Sequence, residues 1–248
     1  AKSLTGIMTK LHQCKYRFGL TGTLDGSQTH KLVLEGLFGT AEKVVSTKEL
    51  IDKKTLANLK IKCIVLKHPT KKERMDYVEE MDYIVSRESR NKFILDLCKN
   101  ISGNTLCLFQ LVEKHGKILH DGMKGGENVY FVYGGTDTEQ REKIRGLVEG
   151  HTKSTTIASY GTFSTGINIR NINNIVLASP SKSKIRVLQS IGRGLRTSST
   201  KDSILIFDIA DDISYGERRN FTLNHFFARI NIYNEEQFNY EISKVKIK

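Results

Sequence analysis

TTIASYGTFSTGINIRNINNIVLASPSKSKIRVLQSIGRGLR, residues 155–196, alternates short apolar runs with polar turns and one longer segment. Residues 155–159 and 174–178 have the length and composition of buried strands, and residues 183–195 have apolar side chains at helical spacing. Strands of about five residues that alternate with helices of about twelve are typical of a parallel sheet with helices on both faces. The stretch therefore predicts a doubly wound α/β fold.

The same alternation extends from this stretch in both directions. Further strands are predicted at 15–24, 60–67, 105–109, 128–133 and 204–208, and further helices at 28–38, 89–101, 110–121 and 137–149. Asp137 is a predicted N-cap, because Gln140 follows three residues later. The charged stretch 70–80 predicts a solvated helix or a hinge. The aromatic-rich tail, residues 216–248, lacks the alternation and predicts helices packed on the main body.

The composition excludes several classes of protein. The 248 residues are 38% hydrophobic, which is enough for a core, and no run approaches the roughly 18 apolar residues of a membrane span. The four cysteines form no CxxC pair, so we expect neither a zinc ribbon nor a disulfide framework, and a reducing compartment fits best. Lys and Arg number 39 against 27 Asp and Glu, a net charge of +12. This surplus favours an anionic partner, with nucleic acid first and a membrane surface second.

The most informative cluster is QSIGRGLR, residues 189–196. In a helix, Arg193 and Arg196 share one face, with Gln189 one turn earlier. Two guanidinium groups suit the charge that develops on a transferring phosphoryl group, because the planar fork of Arg donates bidentately and stays charged. The window 181–201 holds six basic residues and no acid. A solvated basic helix explains the same pattern about equally well.

A second cluster, residues 157–169, places hydroxyls and glycines directly after a predicted strand. Hydroxyls can donate to phosphate oxygens, and glycines let backbone amides approach closely. The residues concerned are Ser159, Gly161, Thr162, Ser164, Thr165 and Gly166. Such a loop is expected at the carboxyl edge of the sheet, where ligands of α/β proteins bind. An ordinary Ser/Gly loop is the alternative.

Two shorter segments carry weaker signals. Residues 20–24, LTGTL, form a turn at the end of a predicted strand, and Gly134 and Gly135 end the strand predicted at 128–133. Arg141, on the following helix, would then be placed to grip a backbone phosphate. A plain strand–helix connection explains this second segment at least as well.

In their order along the chain, these segments resemble the C-terminal portion of a superfamily-two helicase, from just after the DExH box onward. The match is to motif III at Thr21-Gly22-Thr23, motif IV at Leu106–Gln110, motif IVa at Gly134-Gly135-Thr136 with Arg141, motif V at 159–168, and motif VI at Gln189-x-x-Gly192-Arg193-x-x-Arg196. The last of these is the most specific. Within the superfamily, residues 15–24, 158–167, 188–193 and 238–240 resemble the UvsW-like recombination and repair helicases of T4-like phages.

The resemblance implies a role for each matching residue. Arg196 would be the arginine finger on the γ-phosphate of ATP. Arg193 would contact the same phosphates or hold motif VI against the neighbouring lobe, and Gln189 would order this catalytic cluster. Gly166 and Asn168 would lie beside the nucleotide, although many relatives carry an acid where Asn168 stands. Contacts to nucleic acid would come from Phe109, Gly134, Gly135 and Arg141. Ser159, Thr162 and Thr165 would touch the phosphates of the strand or the contact between the lobes. Coupling of the ATP state to lobe closure would involve Thr21, Gly22 and Thr23.

The resemblance also implies a RecA-like fold and a division of the chain. Residues 1–58 would be the end of the first lobe, residues 59–215 the second lobe with motifs IV–VI, and residues 216–248 a C-terminal helical extension. The sequence contains neither a GxxxxGK[ST] loop nor an Asp-Glu-x-His box, and in the family both belong to the first lobe. ATP and Mg²⁺ would then be bound mainly by a first lobe upstream of residue 1, and this chain alone would be inactive.

Two hypotheses of function follow. The first is the C-terminal part of an ATP-dependent DNA, or RNA–DNA hybrid, helicase or translocase. By family analogy it would act on branched DNA, single strands and R-loops in the cytoplasm of an infected bacterial host, with no membrane partner and no oligomer expected. The alternative is a non-enzymatic basic α/β module that binds nucleic acid. A P-loop and DExH box about 100–150 residues upstream would decide between them.

Overall fold

A computed structural model describes residues 2–21, 28–69, 75–165, 169–181, 183–195, 201–216 and 218–248. Its strands are β1 (Asn58–Lys67), β2 (Asn104–Phe109), β3 (Val129–Val132), β4 (Ser154–Ser159), β5 (Asn174–Leu177), β6 (Ser203–Asp212) and β7 (Tyr240–Lys246). They form one sheet in the order β3-β4-β2-β5-β6-β1-β7. Every pairing between these strands is parallel, as predicted for a doubly wound fold.

Helices connect the strands and precede them. They are α1 (Lys2–Met8), α2 (Gln28–Phe38), α3 (Thr47–Asp52), α4 (Tyr77–Ser86), α5 (Glu88–Asn100), α6 (Lys117–Asp121), α7 (Thr138–Gly150), α8 (Tyr160–Thr165), α9 (Lys184–Gly194) and α10 (Phe221–Glu235). A π-helical turn, Val112–Gly116, leads into α6. In the described part of the chain, no helix is both long and apolar enough to span a membrane.

The hydrophobic core lies on both faces of the sheet, because side chains alternate along each strand. Cys63 and Val65 of β1 point to the face that we call the first face, which α7, α8, α9 and α10 cover. Ile64 and Leu66 point to the opposite, second face, which α5 and α6 cover. The central strands β2, β4 and β5 are buried along their whole length. This double burial explains why their sequences are continuous apolar or small-residue runs.

Most predicted elements are confirmed, with boundaries that shift by a few residues. The Asp137 side chain accepts a hydrogen bond from the Gln140 backbone N–H at 2.7 Å, so the predicted N-cap of α7 is present. The helix predicted at 110–121 is confirmed only in part, since it opens with the π-helical turn. The predicted strand at 204–208 is longer, because β6 continues to Asp212.

The strand predicted at 15–24 is wrong for its described part. Residues 15–21 pair with no strand among the described residues, and residues 22–24 lie outside the description. The side chains of Phe18 and Leu20 are 85% and 98% exposed. A strand is stabilised by its ladder and by a buried face, and this segment has neither here.

The tail is only partly helical, which corrects the predicted helical extension at 216–248. After α10 the chain turns at Gln237, whose φ of +56° is left-handed, and β7 then pairs with β1 from Ile61↔Tyr240 onward. Val245 packs against the core of the second face. β7 was missed because an edge strand keeps polar side chains, and its seven residues are mostly exposed.

Candidate functional site

Three neighbouring strands present their carboxyl ends side by side. β3, β4 and β2 are adjacent and parallel, so the segments that follow them meet at one edge of the sheet. These segments are Gln110 after β2, Gly134–Gly135 after β3, and the start of α8 after β4. We call them together the carboxyl-edge site. Ligands of open α/β sheets bind at this edge, and three of the predicted motifs are brought together there.

The segment after β4 is a short helix rather than the predicted loop. The Ser159 hydroxyl accepts from the Thr162 backbone N–H at 3.3 Å, an arrangement typical of a helix start, and lies 2.8 Å from the Thr162 hydroxyl. Both side chains are buried and hydrogen-bonded to each other. They therefore shape the β4–α8 junction. The Thr165 side chain, Gly166 and Asn168 lie outside the described residues.

The segment after β3 is a tight turn with an exposed backbone. The Thr136 hydroxyl accepts from the Tyr133 N–H at 3.1 Å, and the Arg141 guanidinium donates to the Gly134 carbonyl at 3.1 Å. A Cβ at Gly135 would lie 2.6 Å from the Tyr133 ring. The Tyr133 ring thus packs closely against Gly135, and Arg141 holds the turn in shape. The Arg141 Nε is buried and has no partner in the described part of the chain.

Phe109 is a core residue, which corrects its prediction as a nucleic-acid contact. Its side chain is fully buried, and its ring stacks on Phe131 with centroids 5.6 Å apart. Gly116 of the π-helical turn approaches so closely that a Cβ there would lie 2.5 Å from the Phe109 ring. The neighbouring Gln110 has an exposed side chain instead. The carboxyl-edge site therefore presents Gln110 to solvent.

The helix predicted at 183–195 is confirmed as α9, and it packs against α8 on the first face. Its buried side chains include Val187 and Ile191, and Gln189 is exposed. The Arg193 side chain and the whole of Arg196 lie outside the described residues, so their common orientation stays a prediction. Of the coupling segment, Thr21 is described and exposed, and Gly22 and Thr23 are not described.

The carboxyl end of α9 is closely fixed. A Cβ at Gly194 would collide with the Cδ1 atoms of Ile204 and Ile175. The Lys201 ammonium donates to the Gly194 carbonyl, and burial lowers the pKa of Lys201 to about 8. Lys201 therefore caps a helix end, and it does not belong to the exposed basic surface that the charge of window 181–201 indicated.

A buried ion pair, which sequence reasoning missed, ties α10 to the start of α9. Arg229 donates to both carboxylate oxygens of Asp208, at 2.9 and 2.7 Å, and to the Ser181 carbonyl at 2.9 Å. The Tyr233 hydroxyl donates to the same carboxylate at 2.8 Å, and burial raises the pKa of this phenol. The spacing of Arg229 and Tyr233, one helical turn apart, was the available signal.

A second missed group lies under the second face. Arg90 of α5 and Asp211 of β6 form a bidentate pair with no exposed surface. The described residues contain no group of three or more His, Cys, Asp or Glu side chains that could hold a metal ion. The chemistry that the described part of the site offers is therefore hydrogen bonding and cationic charge.

Comparison with known proteins identifies relatives of this chain. Residues 89–198 match the family model of the helicase conserved C-terminal domain. The chain is 34% identical to the ATP-dependent DNA helicase uvsW of Enterobacteria phage T4, over 99% of this chain and 52% of that protein. The crystal structure of T4 UvsW superposes with a TM-score of 0.66, covering 99% of this chain and 51% of that one. The chain thus spans about half the length of this relative.

More distant proteins share the fold. The ATP-dependent Type ISP restriction-modification enzyme LlaBIII, bound to DNA, has a TM-score of 0.59 at 11% identity and covers 86% of this chain and 17% of that one. Dbp5 of S. cerevisiae, bound to RNA and ADP BeF3, has a TM-score of 0.54 at 12% identity over 91% of this chain and 50% of that one. Likeness at this identity supports the RecA-like fold alone.

Proposed function

We propose that this chain, which matches the helicase conserved C-terminal domain over residues 89–198 and is similar to the uvsW helicase of phage T4, serves as the second RecA-like lobe of an ATP-dependent DNA helicase or translocase. The observation that carries this proposal is the packing of α8 on α9. It joins the segment that resembles motif V to the helix that resembles motif VI. A segment that would contact nucleic acid and the helix that would contact nucleotide are therefore neighbours on the first face of the sheet.

For the nucleotide, the proposal assigns Gln189, Arg193 and Arg196. Guanidinium groups fit the phosphates of ATP, since they stay charged and donate bidentately. Gly166 and Asn168 would complete this side of the nucleotide site. The Mg²⁺ that accompanies ATP would be held mainly by the first lobe, together with the phosphates of the nucleotide.

For nucleic acid, the proposal assigns the exposed parts of the carboxyl-edge site. The backbone at Gly134 and Gly135 and the Gln110 side chain are exposed there. The net charge of +12 adds a general attraction to phosphates. Such backbone contacts carry little base specificity. From the resemblance of the motifs, we further propose that the substrates are branched DNA and R-loops in the cytoplasm of an infected host.

The test is nucleic-acid-stimulated ATP hydrolysis, measured for this chain and for the complete protein that contains it. The sequence has no GxxxxGK[ST] loop, so we expect activity in a longer form only. Arg196→Ala in that form should lower the stimulated rate by about 10³-fold or more, the usual effect of losing an arginine finger. Arg145→Ala is the matched control, because Arg145 forms surface pairs with Glu142 and Glu149 on α7.

Three results of these assays would contradict the proposal or one of its assignments. Robust hydrolysis by this chain alone would contradict the two-lobe proposal. A complete protein that is indifferent to Arg196→Ala would remove the arginine-finger assignment. Tight DNA binding without hydrolysis in any form would support the alternative, a basic module that binds nucleic acid without enzymatic activity.

A further inference from the structure

A chain of buried polar groups runs under the second face of the sheet. It begins at Asp211, near the end of β6, where Arg90 donates from Nε at 2.8 Å and from Nη2 at 3.0 Å. His68 also lies 2.8 Å from the same carboxylate. Burial alone would raise the pKa of Asp211, but Arg90 and His68 outweigh it and lower this pKa to about 2. The pair is therefore ionised although neither side chain is exposed.

Arg90 also contacts His115, which lies in the π-helical turn. Its Nη1 lies 3.5 Å from the His115 Nε2, and because Arg can only donate, this nitrogen must accept. Burial and the Arg90 charge lower the pKa of His115 to about 3, so the ring is neutral near pH 7. The proton is therefore on Nδ1, which donates to the Ser179 hydroxyl at 2.9 Å.

Ser179 connects this series of buried polar groups to the carboxyl-edge site. Its hydroxyl oxygen accepts a second hydrogen bond, from the Gln110 backbone N–H, at 3.1 Å. Its carbonyl accepts from the Tyr160 hydroxyl at 3.0 Å. Gln110 follows β2, and Tyr160 is the first residue of α8. One buried residue thus contacts two of the three segments of the site.

We propose that Ser179, held by Asp211, Arg90 and His115, is a positioning residue that sets the carboxyl end of β2 and the start of α8 for contact with nucleic acid. The proposal rests on the proposed function. An apolar core of the same volume is often as stable as a buried ion pair or more so, so stability alone does not explain four linked polar side chains with almost no exposed surface. The position of these side chains, directly beneath the end of β2 and the start of α8, explains why they are linked.

The decisive comparison is Ser179→Ala against Ser154→Ala in the complete protein. Both serines are 2% exposed, and the Ser154 hydroxyl donates to Asn104 at 2.7 Å at the opposite edge of the sheet. Ser179→Ala should raise the single-stranded DNA concentration that half-saturates ATP hydrolysis by about five- to tenfold, the effect of one or two neutral hydrogen bonds. The rate without DNA should stay unchanged. Ser154→Ala should leave both quantities unchanged.

Two substitutions of His115 distinguish its hydrogen bond to Ser179 from its hydrogen bond to Arg90. His115→Asn keeps a donor near the Nδ1 position and with it the bond to Ser179, so its half-saturating DNA concentration should be close to wild type. His115→Gln keeps an acceptor near Nε2 for Arg90 and loses the donor to Ser179, so it should resemble Ser179→Ala. Urea unfolding confirms that each variant is folded at the assay temperature. Equal half-saturation for all four variants would overturn the proposal.

Hydrogen exchange on this chain gives a readout that does not depend on ATP hydrolysis. Ser179→Ala should speed exchange of the Gln110 amide by about five- to tenfold, because its acceptor is lost, and Ser154→Ala should not. If the wild-type protein shows no DNA-stimulated hydrolysis, the proposed function fails, and the exchange data still decide whether Ser179 positions Gln110. Unchanged exchange in Ser179→Ala would contradict the positioning role.

Discussion

His115 is a neutral imidazole between a permanent cation and a hydroxyl, and its burial makes the stability of the fold depend on pH. Its pKa is about 3 in the folded chain against an ordinary 6.5. Between these values the unfolded chain binds a proton that the folded chain does not. Stability is therefore complete above pH 6.5 and falls as the pH drops toward 3, by at most ~1.4 kcal/mol per pH unit from this group.

His115→Gln should remove this part of the pH dependence. Urea unfolding at pH 7, 6, 5 and 4 measures it, and the free energy of unfolding of the variant should decline less steeply than that of the wild type. His12→Gln, at an exposed position, is the control and should follow the wild type. Parallel curves for wild type and His115→Gln would show that the ring is not kept neutral by the fold.

Single residues of the site were predictable where their chemistry requires a local pattern. Gly134 and Gly135 follow a strand, and the Tyr133 ring packs closely against Gly135. Arg90 and Asp211 were not predictable, since 121 residues separate them and a buried charge contradicts every hydropathy rule. Phe109 was assigned wrongly because β2 is buried on both faces, so even its last side chain lies in the core.

Among the elements, α9 depends on the absence of a side chain at its end. Gly194→Ala would place a Cβ against Ile204 and Ile175 in the core, and we expect a loss of about 1–3 kcal/mol of folding free energy from overpacking. Gly192→Ala is the matched control, since nothing lies within 4 Å of its Cβ position in the same helix. It should stabilise by up to about 1 kcal/mol. Thermal unfolding of both variants measures the difference, and equal midpoints would contradict the close approach.

Elements with strong periodicity were predicted well, and those set by tertiary contacts were not. β2, β4 and β5 are continuous buried runs, and α9 has an amphipathic repeat, so local sequence determines them. The π-helical turn at Val112–Gly116 instead accommodates the Phe109 ring, which touches Gly116. β7 exists because β1 offers an unpaired edge. Neither cause is visible in the local sequence.

At the scale of the whole molecule, β7 closes one side of the sheet. A chain that ends at Asn239 would expose the backbone of β1 from Ile61 to Lys67 and remove the contact of Val245 with the core. We expect a loss of about 2 kcal/mol or more in folding free energy and self-association through the new edge. Urea unfolding and light scattering measure the two effects.

The control for this truncation is Glu241→Gln, which keeps β7. Glu241 pairs with Lys60 at 2.7 Å on the surface, and both side chains are mostly exposed, so its loss should change stability little. A truncated chain that stays monomeric and as stable as Glu241→Gln would show that β7 is dispensable for the sheet.

The overall architecture could be predicted because a parallel sheet with covered faces imposes one repeating pattern on the sequence. The strand order could not, since it depends on which edges meet in space. β1 illustrates this: its partners are β6 and β7, both far away in sequence. Periodicity alone does not locate the functional site. The order of the motifs, which resembles that of superfamily-two helicases, predicted where it lies.

The position of β1 between β6 and β7 also affects how the chain folds during synthesis. Within this sheet β1 comes first in the sequence, yet its two neighbours begin only at Ser203 and Tyr240. Domains emerge from the ribosome N-terminus first at a limited rate, and unpaired apolar strands are prone to aggregate meanwhile. The remaining sheet, β3-β4-β2-β5, consists of strands close in sequence and can form early. β1 therefore stays unpaired for longer during synthesis than the other strands of the sheet. We expect chaperones that bind nascent chains to bind residues 58–67.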